Sequence, residues 1–267
     1  MSSPPILNNK DPDAPSVFEP AALLREARRQ KRLPAANVPD ICILDPDGDI
    51  VRRLRETGAA SRCNTWPCYH SDLYEFRLAG RTAGIIGCAV GAPFAVLIAE
   101  ELFACGCRLL ISLTSAGQIV TADPLPYFVV IDRALRDEGT SYHYAAPQAF
   151  AEADPRLVSA AVRALESAGL RAHVGASWTT DAPFRETEAA LAAAREKGVL
   201  AVEMEAAALY TFAHRRNKPV LCLAHVTNTM GISEQDFEKG EAGGTAEALR
   251  LLEAIAGALA HLADLKL

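Results

Sequence analysis

Residues 198–210 read GVLAVEMEAAALY, and the change of pattern inside this stretch constrains the fold more than any other feature of the chain. Val199, Leu200, Ala201 and Val202 form a short apolar run of the kind that ends a buried strand. From Met204 onward, Ala206, Ala207, Ala208, Leu209 and Tyr210 suit a packed helix, so strand gives way to helix close to Glu203 and Glu205. A carboxylate at the carboxyl end of a buried strand costs desolvation energy unless it is paired, and that end of an open α/β sheet is where ligands dock. Two readings stand side by side. Glu205, together with Glu203, accepts hydrogen bonds from sugar hydroxyls above an apolar floor at Met204, or the two acids simply complement a helix dipole.

The same strand-then-helix alternation runs through most of the chain. Apolar runs at 41–44, 82–88, 109–113, 127–131, 173–177, 199–202 and 220–226 alternate with helical patterns at 94–105, 155–168, 189–197 and 246–265. This predicts helix layers on both sides of a mixed, largely parallel sheet, an α/β fold with one ligand crevice. Polar and small residues gather where strands end. They include DPDGD at 45–49, AVGAP at 89–93, Thr114 to Gly117, and Thr227 with Asn228. Small-residue turns leading into a helix present backbone N–H groups to an anion or a polar ligand edge. Residues 1–31 form an N-terminal arm and short helix, and 32–267 a single domain.

Composition narrows the function. Half of the residues are hydrophobic and 22% charged, with a formal net charge of −6, which disfavours nucleic acid and anionic membranes as partners and favours a small molecule. The seven cysteines have no zinc-like spacing, so they read as reduced thiols with no metal, and the expected location is cytoplasmic. His225 in an apolar strand reads as a core histidine, whereas Arg133, Arg136 and Arg185 are possible sources of positive charge at a site.

VEMEAAALY, ALRDEGTSYHYAAP, WTTDAPFRET and the pair GCAVGAPFAVLIAEEL with LLISLTSAGQI together resemble, in order and spacing, the nucleoside phosphorylase family on its uridine phosphorylase-like branch. The resemblance spans roughly residues 32–265. It implies a three-layer αβα fold with a distorted central sheet, a homo-oligomer from dimer to hexamer, and no cofactor, with phosphate as possible co-substrate. The implied reaction is attack at C1′ of a nucleoside with release of the base, giving ribose 1-phosphate.

By the same resemblance Met204 and Glu205 match the ribose-binding pair, Ser115 the hydroxyl that contacts phosphate and sugar, and the 181–185 region the wall of the base site, with Phe184 and Arg185 reading the base. Trp178, Thr180 and Gly117 line the same expected crevice. Asn228 falls where purine-specific relatives carry an aspartate general acid. An amide there can hydrogen-bond a leaving base but transfers a proton poorly.

The phosphate positions would be Gly48, Ser112 and Ser115, and here the chain departs from the family. Ile50 and Ser112 stand where arginines are expected, and Tyr69 or His70 where a neighbouring subunit would supply a third. Each lost charge-assisted contact should weaken phosphate by about 1.5–3 kcal/mol. Hydrolysis by water and nucleoside binding without catalysis are therefore the alternatives to phosphorolysis.

Overall fold

A computed structural model describes residues 4–230, 236–237 and 239–264. Helix α1 (Pro20–Lys31) precedes strand β1 (Ile41–Asp45), α2 (Asp49–Glu56), β2 (Ala60–Arg62), β3 (Tyr74–Leu78), β4 (Arg81–Gly87) and α3 (Ala92–Ala104). Then come β5 (Leu109–Gln118), β6 (Tyr127–Asp137), β7 (Phe150–Glu152), α4 (Pro155–Ser167), β8 (His173–Thr180) and α5 (Glu188–Glu196). The chain continues with β9 (Val199–Glu203), α6 (Ala206–Arg216), β10 (Val220–Asn228) and α7 (Thr245–Asp264).

All ten strands join one mixed sheet in the order β10-β6-β8-β9-β5-β1-β4-β3-β2, with β7 on β6. Because β10 also pairs with β5, the strands β5, β9, β8, β6 and β10 close into a ring. β1 pairs in parallel with β4 and β5, and β5 with β10, while the flank from β4 to β2 is antiparallel. β2 is therefore the outer strand on that side. Helices α1, α3 and α6 cover one face of the sheet and α2, α4 and α7 the other, giving three layers. A third, smaller core packs α5 against β8 and β9 around Trp178, Leu191 and Val202.

Several strands outrun the apolar stretches that predict them. β5 continues through Thr114 to Gln118, β6 through Asp132 to Asp137, and β8 through Trp178 to Thr180. Ring closure is the physical reason. Gly117 and Gln118 pair with Val202 and Ala201, and residues 133–137 pair with residues 176–180, so these polar stretches find ladder partners that local composition cannot reveal.

Tyr210 of α6 fastens the ring. Its buried hydroxyl donates to the Ile131 carbonyl at 2.6 Å and accepts from the Cys222 N–H at 3.1 Å, bridging β6 to β10 just past their last ladder pair, Leu223 with Val130. Deleting this oxygen leaves buried backbone groups unpaired, so Tyr210→Phe should cost about 1–3 kcal/mol, read as a lower urea midpoint with unchanged slope.

Candidate functional site

The carboxyl ends of β1, β4, β5, β9 and β10 lie together, and residues 114–117 of β5 are the hub. Glu205 is fully enclosed there. It follows β9 at the N-cap position of α6, is 1% exposed, and its Oε1 accepts the Gly91 N–H at 2.7 Å. Gly91 itself is the N-cap of α3, so the small-residue turn after β4 spends a backbone donor on this acid rather than on a free anion. Burial pushes the Glu205 carboxyl up to about 8, with the Glu203 charge adding to the rise; the Gly91 N–H and the Thr114 hydroxyl oppose it. Met204, half-buried, contributes its N–H to the Glu205 Oε2 at 3.3 Å.

Glu203 takes a different part from the one expected of it. Its Oε1 accepts from the hydroxyls of Ser177 (3.0 Å) and Thr179 (2.5 Å), and its Oε2 from the N–H groups of Glu205 and Ala206 (both 2.7 Å). Four donors saturate this buried carboxylate, so it ties β8 to the start of α6 and holds Glu205 in place. Of the two acids, Glu203 serves the helix end, whereas Glu205 turns to the Gly91 N–H at the turn after β4.

Asn228 lies opposite Gly117 across the β5–β10 ladder and is 8% exposed. Its Oδ1 accepts the Met230 N–H at 3.0 Å, whereas its Nδ2 makes only long contacts, to the Ala116 carbonyl at 3.4 Å and the Thr227 hydroxyl at 3.3 Å. The amide N–H₂ is thus the weakly held end and can retarget to a ligand. Gly117 packs closely there: a Cβ would sit 2.1 Å from the Met230 sulfur, which would have to shift, and 3.2 Å from the Asn228 Oδ1.

Ser115 presents two donors to one carboxylate. Its N–H reaches Asp47 Oδ2 at 3.1 Å and its hydroxyl Asp47 Oδ1 at 2.9 Å. Lys239 lies 3.6 Å from Asp47 and 2.6 Å from Asp49. Neither Asp47 nor Lys239 stood out in the sequence, since one lies in a turn and the other in the polar 231–244 stretch. Within that stretch, residues 231–235 and 238 fall outside the described residues.

The other expected phosphate positions do not join Ser115. The Gly48 N–H is used in a turn to the Asp45 carbonyl at 2.9 Å, and its positive φ of 76° suits that turn. Asp45 closes the N-terminus of α2 by accepting the Val51 N–H at 2.9 Å, with its carboxyl pushed up to about 7 by burial. Ser112 is enclosed in mid-sheet between Leu44 and Cys222, and among the described residues its hydroxyl has no hydrogen-bond partner.

The base-wall residues are likewise dispersed. Trp178 belongs to the α5 core, its indole N–H donating to Asp137 at 3.0 Å, and Thr180 is buried where its hydroxyl accepts the Ala182 N–H. Phe184 is 99% exposed and Arg185 is exposed beside it, so neither walls a crevice within this chain. Asp181 accepts the Gly139 N–H, and Thr187 caps α5. Arg136 is spent on the carbonyls of Ala145 and Ala146 and the Ser141 hydroxyl, and Arg133 stacks over Phe150. His225 stacks on Phe128 with ring centroids 4.4 Å apart, and burial pushes it down to about 4, as befits a core histidine.

Residues 40–257 match the model of the Phosphorylase superfamily. Over 201 residues the chain is 28% identical to a uridine phosphorylase of Thermococcus kodakarensis, covering 68% of this chain and 70% of the relative. It is 30% identical over 162 residues to a DeoD-type purine nucleoside phosphorylase of Roseobacter denitrificans, covering 58% and 67%. The fold matches the crystal structure of uridine phosphorylase from Vibrio fischeri ES114 with a TM-score of 0.71 at 23% identity, over 84% of this chain and 95% of that one. Purine nucleoside phosphorylase from Toxoplasma gondii, in complex with immucillin-H, gives a TM-score of 0.72 at 17% identity, over 88% and 95%. Among the described residues no helix is long and apolar enough to cross a membrane. With its three-layer architecture and most of its length covered by the family model, this chain belongs to the Phosphorylase superfamily.

Proposed function

We propose that this protein cleaves the N-glycosidic bond of a nucleoside by phosphorolysis, releasing the free base and ribose 1-phosphate. The observation that carries this reading is the enclosed Glu205 carboxylate, held by the Gly91 N–H beside the β5 hub. Attack at C1′ builds positive charge on the ribose ring and negative charge on the base. A carboxylate accepting the 2′ and 3′ hydroxyls fixes the sugar and opposes the ring's positive charge, and in an enclosed site that electrostatic contribution is large. In this reading Asn228 donates its amide N–H to the departing base, and Ser115 is assigned to the incoming nucleophile. The relatives, uridine and purine nucleoside phosphorylases, support phosphate as that nucleophile. No organic cofactor or metal enters this scheme. A homo-oligomer belongs to the same proposal, because the exposed apolar side chains of Val90, next to Gly91, and of Phe184 suit burial against a second copy.

One observation favours a second reading, hydrolysis by water: both donors of Ser115 are already taken by Asp47. A panel of purine and pyrimidine nucleosides, assayed for free base with and without phosphate, separates the two. Phosphorolysis predicts release that rises with phosphate. Release unchanged in phosphate-free buffer would establish water as the nucleophile, and saturable binding without release would leave a binding protein.

A further inference from the structure

We propose that Asp47 is a resident carboxylate in an anion cradle made by Ser115 and Lys239, and that it sets how tightly this protein binds phosphate. The inference rests on the reading above only in taking phosphate as the anion, and its test does not need turnover.

Two donors on Ser115, one backbone and one hydroxyl, meet the two oxygens of Asp47 separately, at 3.1 and 2.9 Å. This is how a donor pair grips two oxygens of a tetrahedral oxyanion, and the carboxylate satisfies it in the same way. Lys239 supplies the cation, 3.6 Å from Asp47, while its shorter contact at 2.6 Å goes to Asp49. The space left beside these groups, lined by Asp47, Asp49, His225 and Lys239, is about 20 Å³. That holds about one water and no phosphate.

Charge points the same way. Lys239 faces two carboxylates, so an incoming dianion would meet a surplus of negative charge. It can enter only if Asp47 swings away from Ser115. Asp47 is half-exposed at a turn, so such a swing needs no rearrangement of the core. With Asp47 removed, the Ser115 N–H and hydroxyl are free, and Lys239 has one carboxylate to neutralise instead of two. The cationic partner that the arginine-poor phosphate positions lack would then be Lys239.

The test is phosphate binding by the full chain, followed by isothermal titration with inorganic phosphate alone. The expected result is weak binding by the wild type and binding tightened roughly tenfold in Asp47→Ala and Asp47→Asn, with the gain lost in Asp47→Ala/Lys239→Met. Melting curves identify which variants are folded, and the isosteric Asp47→Asn serves if Asp47→Ala is not. Folded Asp47 variants that bind phosphate no tighter than wild type would overturn the proposal, as would a gain that survives loss of Lys239. If no nucleoside releases base, the functional reading fails, and the phosphate titration still decides this one.

Discussion

Replacing Glu205 with glutamine should lower kcat/KM for nucleoside cleavage by about 10²–10⁴-fold while making the protein more stable. The loss follows from two charge-assisted hydrogen bonds to ribose hydroxyls, each worth about 1.5–3 kcal/mol. The gain follows from burial. Glu205 is 1% exposed beside the Glu203 charge, and its carboxyl titrates near 8 in the fold against an ordinary 4.5. Over that interval the folded state keeps a proton that the unfolded chain has shed. Wild-type stability therefore falls as pH rises from about 4.5 to 8, and the neutral amide escapes this loss. The substituted amide would still accept the Gly91 N–H through its carbonyl oxygen. Glu205→Gln should melt above wild type, by up to roughly 5 kcal/mol of stability at pH 9, with the gap closing toward pH 5. Wild-type kcat/KM should climb with pH and level off above about 8, as the free carboxyl ionises. Calorimetric melts and pH–rate profiles of the two proteins check both parts.

Glu203→Ala should do the opposite to stability, although the two acids are separated only by Met204. Truncation strips the acceptor from two buried hydroxyls, Ser177 and Thr179, and from the N–H groups of Glu205 and Ala206 at the start of α6. Leaving buried donors unpaired at a helix N-terminus should cost about 3–5 kcal/mol, seen as a large drop in the denaturant midpoint. Glu203→Gln should fall between, because the amide keeps one acceptor oxygen but turns its N–H₂ toward donors. A midpoint for Glu203→Ala within about 1 kcal/mol of wild type would contradict the assignment of this residue to the fold.

These two residues show what the sequence makes legible. An apolar run followed by EME and a run of alanines announces a strand feeding a helix with acids at the junction, and that is where the structure has them. The pattern does not say which acid turns inward, because that depends on Ser177 and Thr179, brought from β8 by pairing across the sheet. The alternation of strands and helices was legible for the same reason, since each element carries its own periodicity. The closed ring was not, because it depends on polar strand ends pairing with each other far along the chain.

The site followed the same divide. Glu205 follows β9 and Asn228 ends β10, as their local patterns imply, whereas Ser115, expected at a strand exit, lies inside β5 because the strand runs on to Gln118. Trp178, expected along the crevice, packs under α5, because a strand's two faces look alike until its register is known. Asp47 looked like an ordinary turn residue, and only its approach to Ser115, 68 positions away, gives it a role. Lys239 sits in a polar connection with no periodicity, and nothing local distinguishes it from a solvated lysine.

Whether Glu205 grips the sugar is tested most directly by measuring, calorimetrically, the binding of a ribonucleoside and its 2′,3′-dideoxy counterpart to wild type and to Glu205→Gln. Wild type should prefer the ribonucleoside by at least about 100-fold, and the glutamine variant should bind both with nearly equal weakness. Equal affinity of wild type for the two ligands, or a preference that survives the substitution, would contradict the placement of the nucleoside against Glu205.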